Sequence, residues 1–226
     1  MEWCCHRPRS LVRGVRAEPY AVVVQYTLLL AMSTQPKTLL TPAQYLEIER
    51  KAEYKSEYHQ GEMFAMAGAT REHVVLAVRL ASELNQQLRK RPCEVYNSDM
   101  RVRVSTTGLY TYPDVTVVCG EPRFADDQLD TLLNPALIAE VLSPSTEAYD
   151  RGRKFEQYRS IDSLGEYLLV ASDRVHVDLF QRQADGRWLL QEAFRLEDAL
   201  ELGSIGCRLQ LRDLYEKLDL PVGSKT

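Results

Sequence analysis

Residues 135–158 read PALIAEVLSPSTEAYDRGRKFEQY, and the fold turns on how they are interpreted. Leu137 to Ser143 is an apolar run of strand length between Pro135 and Pro144 and reads as a buried strand. A single carboxylate, Glu140, interrupts it. Strand alternation puts Glu140 on the face of Ile138 and Leu142. Glu is rarely fully buried without a partner, so Glu140 is either a salt-bridged core residue or part of a site. Ser143-Pro144 then opens a helix that runs through Tyr158. Asp150, Lys154 and Tyr158 fall at i, i+4 and i+8 and line one face of it. A solvated Asp150–Lys154 pair, worth roughly a few tenths of a kcal/mol, would account for two of them equally well. Gly152 costs about 1 kcal/mol against Ala in mid-helix and would permit close backbone approach.

Working outward, LYTYPDVTVVCG (109–120) is rich in β-branched residues and reads as a central strand. It carries Asp114 at its mouth, where a carboxylate is costly unless paired, hydrogen-bonded or bound to metal. The plainer account is an Asp at an exposed strand start. EVYNSDMRVRV (94–104) alternates like a half-buried strand. Thr70 caps a long helix whose apolar face reads as Val74, Ala77, Val78, Ala81, Leu84 and Leu88, ending at Pro92. Further upstream, Thr41-Pro42 opens a helix, and Gly61 in KSEYHQGEMFAMAG marks a hairpin. Downstream, EYLLVAS, VHVDLFQR and RWLLQEAF extend the sheet, and RLQLRDLYEKL holds a short closing helix. Strands mixed with crossing helices predict an α/β domain with a mixed sheet.

The 226 residues suit one domain, and 45% apolar content can supply its core. The net charge of −4 lacks the strong basicity of a protein that simply coats nucleic acid. Cys4, Cys5, Cys93, Cys119 and Cys207 show no paired metal spacing and read as reduced thiols of a cytosolic protein. Residues 1–31 carry arginines at 7, 9, 13 and 16 before an apolar run from Tyr20 to Ala31. That run is too short to span a bilayer. A signal peptide is one account; the one preferred here is upstream sequence before a natural start at Met32. The domain is expected over 32–220, with 221–226 as a tail.

Tyr58-His59-Gln60-Gly61-Glu62, His73, Pro113-Asp114-Val115, Glu140-Val141-Leu142-Ser143-Pro144-Ser145-Thr146, Asp150, Lys154 and Tyr158 occur in one order. The pattern resembles the PD-(D/E)XK nuclease superfamily, and within it the Uma family of bacterial restriction-endonuclease-like proteins. The resemblance covers Lys37 to Leu220. It departs from the superfamily pattern at Leu142, where the motif lysine normally stands, two residues after the second acid. Lys154, reaching in from the helix, is the implied replacement.

The resemblance implies a restriction-endonuclease-like mixed β-sheet flanked by helices and a metal-dependent endonuclease acting on DNA. Asp114 and Glu140 would hold Mg²⁺, or Mn²⁺ in its place, through hard oxygen ligands. Lys154 would orient or help deprotonate the attacking water, with metal nearby favouring its neutral amine. Glu57 is a further candidate acid, and Asp150 and Tyr158 would hold Lys154. His73 would contact phosphate or cap its own helix. Arg71, Arg101, Arg103, Arg151 and Arg153 are candidates for a DNA-facing rim, or ordinary solvated surface. A cytoplasmic homodimer without membrane association is expected. The rival from another class is a catalytically silent nucleic-acid-binding or dimer-scaffolding module of the same fold; a small-phosphoester hydrolase is a third, and no GxxxxGK[ST] loop supports nucleotide binding.

Overall fold

The computed structural model describes residues 39–222, all within the compact unit Leu39–Thr226. The reading of residues 1–31 as a non-domain extension lies outside them, as do residues 223–226 of the tail. Two sheets share the domain. One is built from β1 (Ser56–His59), β2 (Glu62–Ala65), β4 (Arg101–Val104), β5 (Leu109–Thr111) and β7 (Thr131–Leu132), in the order β2-β1-β5-β4-β7. The other takes β3 (Cys93–Asn97), β6 (Val115–Cys119), β8 (Leu137–Leu142), β9 (Glu166–Ala171), β10 (Val177–Arg182) and β11 (Trp188–Ala193), in the order β11-β10-β9-β8-β6-β3. In this larger sheet β8 and β9 run parallel and the remaining pairs antiparallel, so it is mixed as expected.

Two stretches that read as single strands are each divided between the sheets. EVYNSDMRVRV turns at Ser98–Met100, so β3 and β4 part company. LYTYPDVTVVCG breaks at Tyr112-Pro113-Asp114 into β5 and β6. Pro113 has no N–H to give a ladder, and pairing lapses there. Asp114 therefore stands at the seam between the sheets, and the notion of one central strand is corrected.

α1 (Pro42–Glu49) starts at Thr41 in a capping box with Gln44. Its Tyr45 is fully buried and packs against Tyr58 and Tyr110. The β1–β2 hairpin turns on Gln60 and Gly61, both with positive φ. At Gly61 a Cβ would come within 2.7 Å of Leu39 Cβ, so glycine is required twice over.

α2 (Arg71–Leu88) is capped by the Thr70 hydroxyl, which accepts from the His73 N–H. Its buried stripe is Leu76, Leu80, Leu84 and Leu88, packed on Val115, Val117, Ala139 and Val141 of the larger sheet. The face expected from sequence is half wrong. Leu84 and Leu88 are buried and Ala77 and Ala81 flank the core, but Val74 and Val78 are exposed. Both stripes satisfy three-and-four spacing, and burial went to the leucines, which remove more apolar area from water.

The same side of the sheet is closed by a hairpin of β12 (Ala199–Leu202) and β13 (Cys207–Gln210) and by α5 (Leu211–Leu214). The hairpin was not foreseen. The opposite face packs on β4, β5 and the helical segment after β8. That segment is not one regular helix: α3 (Glu147–Tyr149) leads into a π-helical turn, Asp150–Lys154, and then α4 (Phe155–Tyr158). At Gly152 a Cβ would meet nothing within 4 Å, so close backbone approach is not its purpose.

Cys93 and Cys119 form a disulfide, contrary to the expectation of free thiols. They are direct partners in the β3–β6 register, with Cα atoms 4.0 Å apart, and strand pairing brings together two residues distant in sequence. Cys207 is a free, buried thiol, and Cys4 and Cys5 lie outside the described residues. No helix among the described residues is long and apolar enough to cross a membrane.

Candidate active site

Five segments converge on one open cleft of about 2200 Å³. Asp114 enters from the seam. Beyond the last paired residues of β6 and β8, the Val141 N–H donates to Asp114 Oδ2 at 2.7 Å, so the side chain stands in for the missing strand acceptor. The same oxygen lies 3.3 Å from His73 Nε2, at the start of α2. Burial would lower the His73 pKa, but Asp114 and the Val141 backbone outweigh it and raise it. His73 thus reaches Asp114 as well as supplying the capped N–H.

Glu140 projects from β8 on the face of Ile138 and Leu142, as alternation requires, and is 4% exposed. Its Oε1 accepts from the Tyr158 hydroxyl at 2.8 Å and lies 2.9 Å from Lys154 Nζ. Lys154, 5% exposed, also stands 2.9 Å from Glu57 Oε1 and 3.6 Å from Asp150 Oδ1. Glu57 comes from β1 of the other sheet, where the Thr111 hydroxyl donates to it at 2.5 Å. The π turn keeps Asp150 and Lys154 both inward, and the Tyr167 hydroxyl donates to the Asp150 carbonyl at 3.1 Å. Such turns recur at functional sites because they redirect side chains within a helix.

The charges follow from this packing. Glu57, Glu140 and Asp150 surround one ammonium, and burial opposes leaving the excess negative charge bare. Burial pushes Glu140 up to about 8; Lys154 offsets it, while Asp150 and Asp114 reinforce it. Asp150 is likewise raised by burial, again against Lys154. For Lys154, burial works toward the neutral amine, but Glu140, Glu57 and Asp150 win and hold it well above the ordinary lysine value. By themselves, three carboxylates within 3.6 Å favour the ammonium form of this lysine; the neutral amine is expected only with metal nearby.

All seven candidates, Glu57, His73, Asp114, Glu140, Asp150, Lys154 and Tyr158, fall in two linked groups: His73 with Asp114, and Lys154 with Glu57, Glu140, Asp150 and Tyr158. Thr111 was missed, since a Thr in a β-branched strand carries no sequence signal. So was Tyr149, whose ring lies 5.9 Å from Lys154 Nζ. The basic rim is thinner than expected. Arg101 is buried, 2.9 Å from Asp130 and bonded to Tyr112 and Thr131. Arg151 is committed to Glu147 and Asp178, and Arg103 lies over the Tyr110 ring. Arg71 and Arg153 are exposed, and Arg153 lines the cleft.

An α/β domain with mixed sheets, carrying acids and a lysine at the seam between them, resembles the nuclease-like class of the PD-(D/E)XK superfamily. The comparisons narrow this: residues 42–212 match the Uma2 family, described as "Putative restriction endonuclease", and the chain belongs to that family. Two relatives come from Synechocystis sp. The uncharacterised protein slr1290 is 41% identical over 185 residues, covering 81% of this chain and 95% of its own. The uncharacterised protein sll1609 is 42% identical over 154 residues, covering 68% and 87%. A solved structure from Anabaena variabilis, described as "a putative nuclease belonging to DUF820", superposes with a TM-score of 0.63 at 16% identity. It covers 78% of this chain and 97% of its own, and at that identity the likeness is one of fold.

Proposed function

We propose that the chain is a Mg²⁺-dependent endonuclease that hydrolyses phosphodiester bonds in DNA, with Asp114, Glu140 and Lys154 as its catalytic residues. The observation that carries this is the meeting of a seam carboxylate, a buried strand carboxylate and a buried lysine in one open cleft. The donor set suits the metal. Mg²⁺ keeps several waters and takes one or two carboxylates plus substrate phosphate, and Asp114 and Glu140 are two such oxygen donors. Bound there, Mg²⁺ supplies Lewis acidity toward a phosphoryl oxygen and lowers the pKa of bound water.

The chain's own residues do the rest. Glu140, pushed up to about 8 by burial, would have to give up its proton to serve as a ligand. Lys154, as an ammonium, offsets charge growing on the phosphate and orients water by donating to it. Glu57, Asp150 and Tyr158 hold Lys154 and Glu140 in register. His73, drawn to the protonated state by Asp114, offers a donor to a phosphate oxygen. The domain so defined begins at residue 32, with 1–31 an extension, and runs past the expected end at 220 to Val222, because the Pro221 carbonyl accepts from the Val175 N–H at 2.9 Å and Val222 bridges to Val175. A homodimer follows from the need to cut two strands, one site per strand. A cytoplasmic location is part of the same reading. In that reducing compartment the Cys93–Cys119 bond is the feature to check, by thiol labelling in fresh lysate.

The test compares plasmid and single-stranded DNA incubated with Mg²⁺, Mn²⁺ or EDTA, using the wild type, Asp114→Asn and Glu140→Gln. Metal-dependent cleavage is expected from the wild type alone, with Mg²⁺ binding lost from both variants by calorimetry. Folded wild-type protein that binds DNA but cleaves nothing with either metal would identify a silent binding module instead.

A further inference from the structure

The hairpin of β10 and β11 carries a second group of metal-ligating side chains that the nuclease reading does not use. His176 precedes β10, and Asp178 follows two residues later on the same face. Glu192 of β11 stands directly across from Asp178 in the antiparallel register. One donor atom from each residue lies within 4.8 Å of the other two, and this is the single such group of three among the described residues. His176 Nε2 is 3.0 Å from Asp178 Oδ1 and 3.6 Å from Glu192 Oε1. Two ligands of a tetrahedral zinc-class ion, each about 2.0–2.2 Å from the metal, sit about 3.3–3.6 Å apart. The spacings are close to that without rearrangement of the strands.

A separate observation points the same way. His176 and Asp178 are 7% and 3% exposed, yet His176 Nε2 and Asp178 Oδ1 make no hydrogen bond. The two atoms are near each other but not aligned for a bond between them. Leaving buried polar atoms unsatisfied costs about 1–3 kcal/mol each, and a shared cation would satisfy both. The surrounding contacts hold these atoms ready. The buried Tyr215 hydroxyl accepts from the His176 N–H at 3.3 Å and donates to the His176 carbonyl at 2.8 Å. Asp178 Oδ2 is taken by Arg151, which leaves Oδ1 to the cluster. Glu192 is the exposed member and opens the group to solvent.

We propose that His176, Asp178 and Glu192 bind one zinc-class divalent ion, separate from the carboxylate pair Asp114 and Glu140. The imidazole ligand selects Zn²⁺ or Co²⁺ over Mg²⁺. Three protein ligands leave a fourth position for water. The ion braces the fold: it holds Asp178, Asp178 holds Arg151, and Arg151 belongs to the π turn that presents Asp150 and Lys154.

The test is calorimetric titration of the full chain with Zn²⁺ in excess Mg²⁺, together with the visible spectrum of the Co²⁺ form. It is run on the wild type, on Asp114→Asn/Glu140→Gln, and on Glu192→Gln and His176→Ala. One equivalent of Zn²⁺ is expected in the wild type and retained in Asp114→Asn/Glu140→Gln. Affinity should fall tenfold or more in Glu192→Gln and vanish in His176→Ala. At one equivalent, Zn²⁺ should raise the melting temperature of the wild type by more than that of Glu192→Gln. Glu192 is exposed, so its variant folds even if His176→Ala does not, and it decides the matter alone. Uptake unchanged in Glu192→Gln, uptake lost only with Asp114 and Glu140, or no uptake at all would overturn the proposal. The last outcome would leave His176 and Asp178 as a plain ion pair. None of these results depends on whether the chain cleaves DNA.

Discussion

Replacing Lys154 with Met keeps most of the side-chain volume and removes the charge. The structure sets the magnitude. Nζ lies 2.9 Å from Glu57, 2.9 Å from Glu140 and 3.6 Å from Asp150, in a residue only 5% exposed. Removing one partner of a buried ion pair costs about 3–5 kcal/mol. At a urea dependence of about 2–3 kcal/mol per M, that lowers the unfolding midpoint by about 1–2.5 M. The loss depends on pH. Without the ammonium, the folded-state pKa values of the buried carboxylates rise further above their unfolded values. A raised pKa gives stability that is fully present below the unfolded value and lost as pH climbs through the folded one. For Glu140 that window runs from near 4.5 to about 8 and above, so the deficit is small near pH 5 and greatest above pH 8. Mg²⁺ takes over the role of the missing charge and should restore more stability to Lys154→Met than it adds to the wild type. Plasmid cleavage should fall about 10²–10⁴-fold, the usual worth of a positioned proton-transfer or charge-stabilising group. The assays are urea denaturation in EDTA at acid and alkaline pH, repeated with Mg²⁺, and timed plasmid cleavage. A wild-type midpoint at pH 8, with wild-type cleavage at saturating Mg²⁺, would refute the reasoning.

Tyr158→Phe removes the hydroxyl that Glu140 Oε1 accepts from at 2.8 Å and should cost about 1–3 kcal/mol in thermal or urea unfolding. It should also weaken cleavage by less than Lys154→Met does. Asp130→Asn leaves Arg101, 3% exposed, without its charged partner and should cost about 2–3 kcal/mol, less than a fully buried pair because Asp130 is one-third exposed. The pKa of Asp130 is depressed, first by the hydrogen bond from Arg50, so its contribution is present above the ordinary Asp value and fades as pH falls through the folded one. A variant matching wild type across an acid titration would contradict this. Reduction of Cys93–Cys119, which span 26 residues, should cost about 3–4 kcal/mol by loop-closure entropy. Calorimetric scans with and without dithiothreitol check it, and thiol titration follows the bond itself.

Periodicity along the chain was enough to establish the α/β class, the strand at Leu137–Leu142, the face of Glu140, the hairpin at Gly61 and the caps at Thr41 and Thr70. Each depends on residues a few positions apart, and side-chain direction in a strand or helix is a local property. The shared face of Asp150, Lys154 and Tyr158 was legible for the same reason, though the π turn within it was not. The rest was settled by contacts between segments far apart in sequence. Only strand order reveals that Pro113 ends one sheet and leaves Asp114 at the seam of two. Only the β3–β6 register joins Cys93 to Cys119. Packing chose Leu76 and Leu80 over Val74 and Val78 as the buried stripe of α2, and it buried Arg101 rather than presenting it to solvent. The charge on Lys154 is tertiary as well. Its ionisation depends on burial and on Glu57, Glu140 and Asp150, and Glu57 and Glu140 arrive from different sheets, at a distance along the chain that no local pattern encodes.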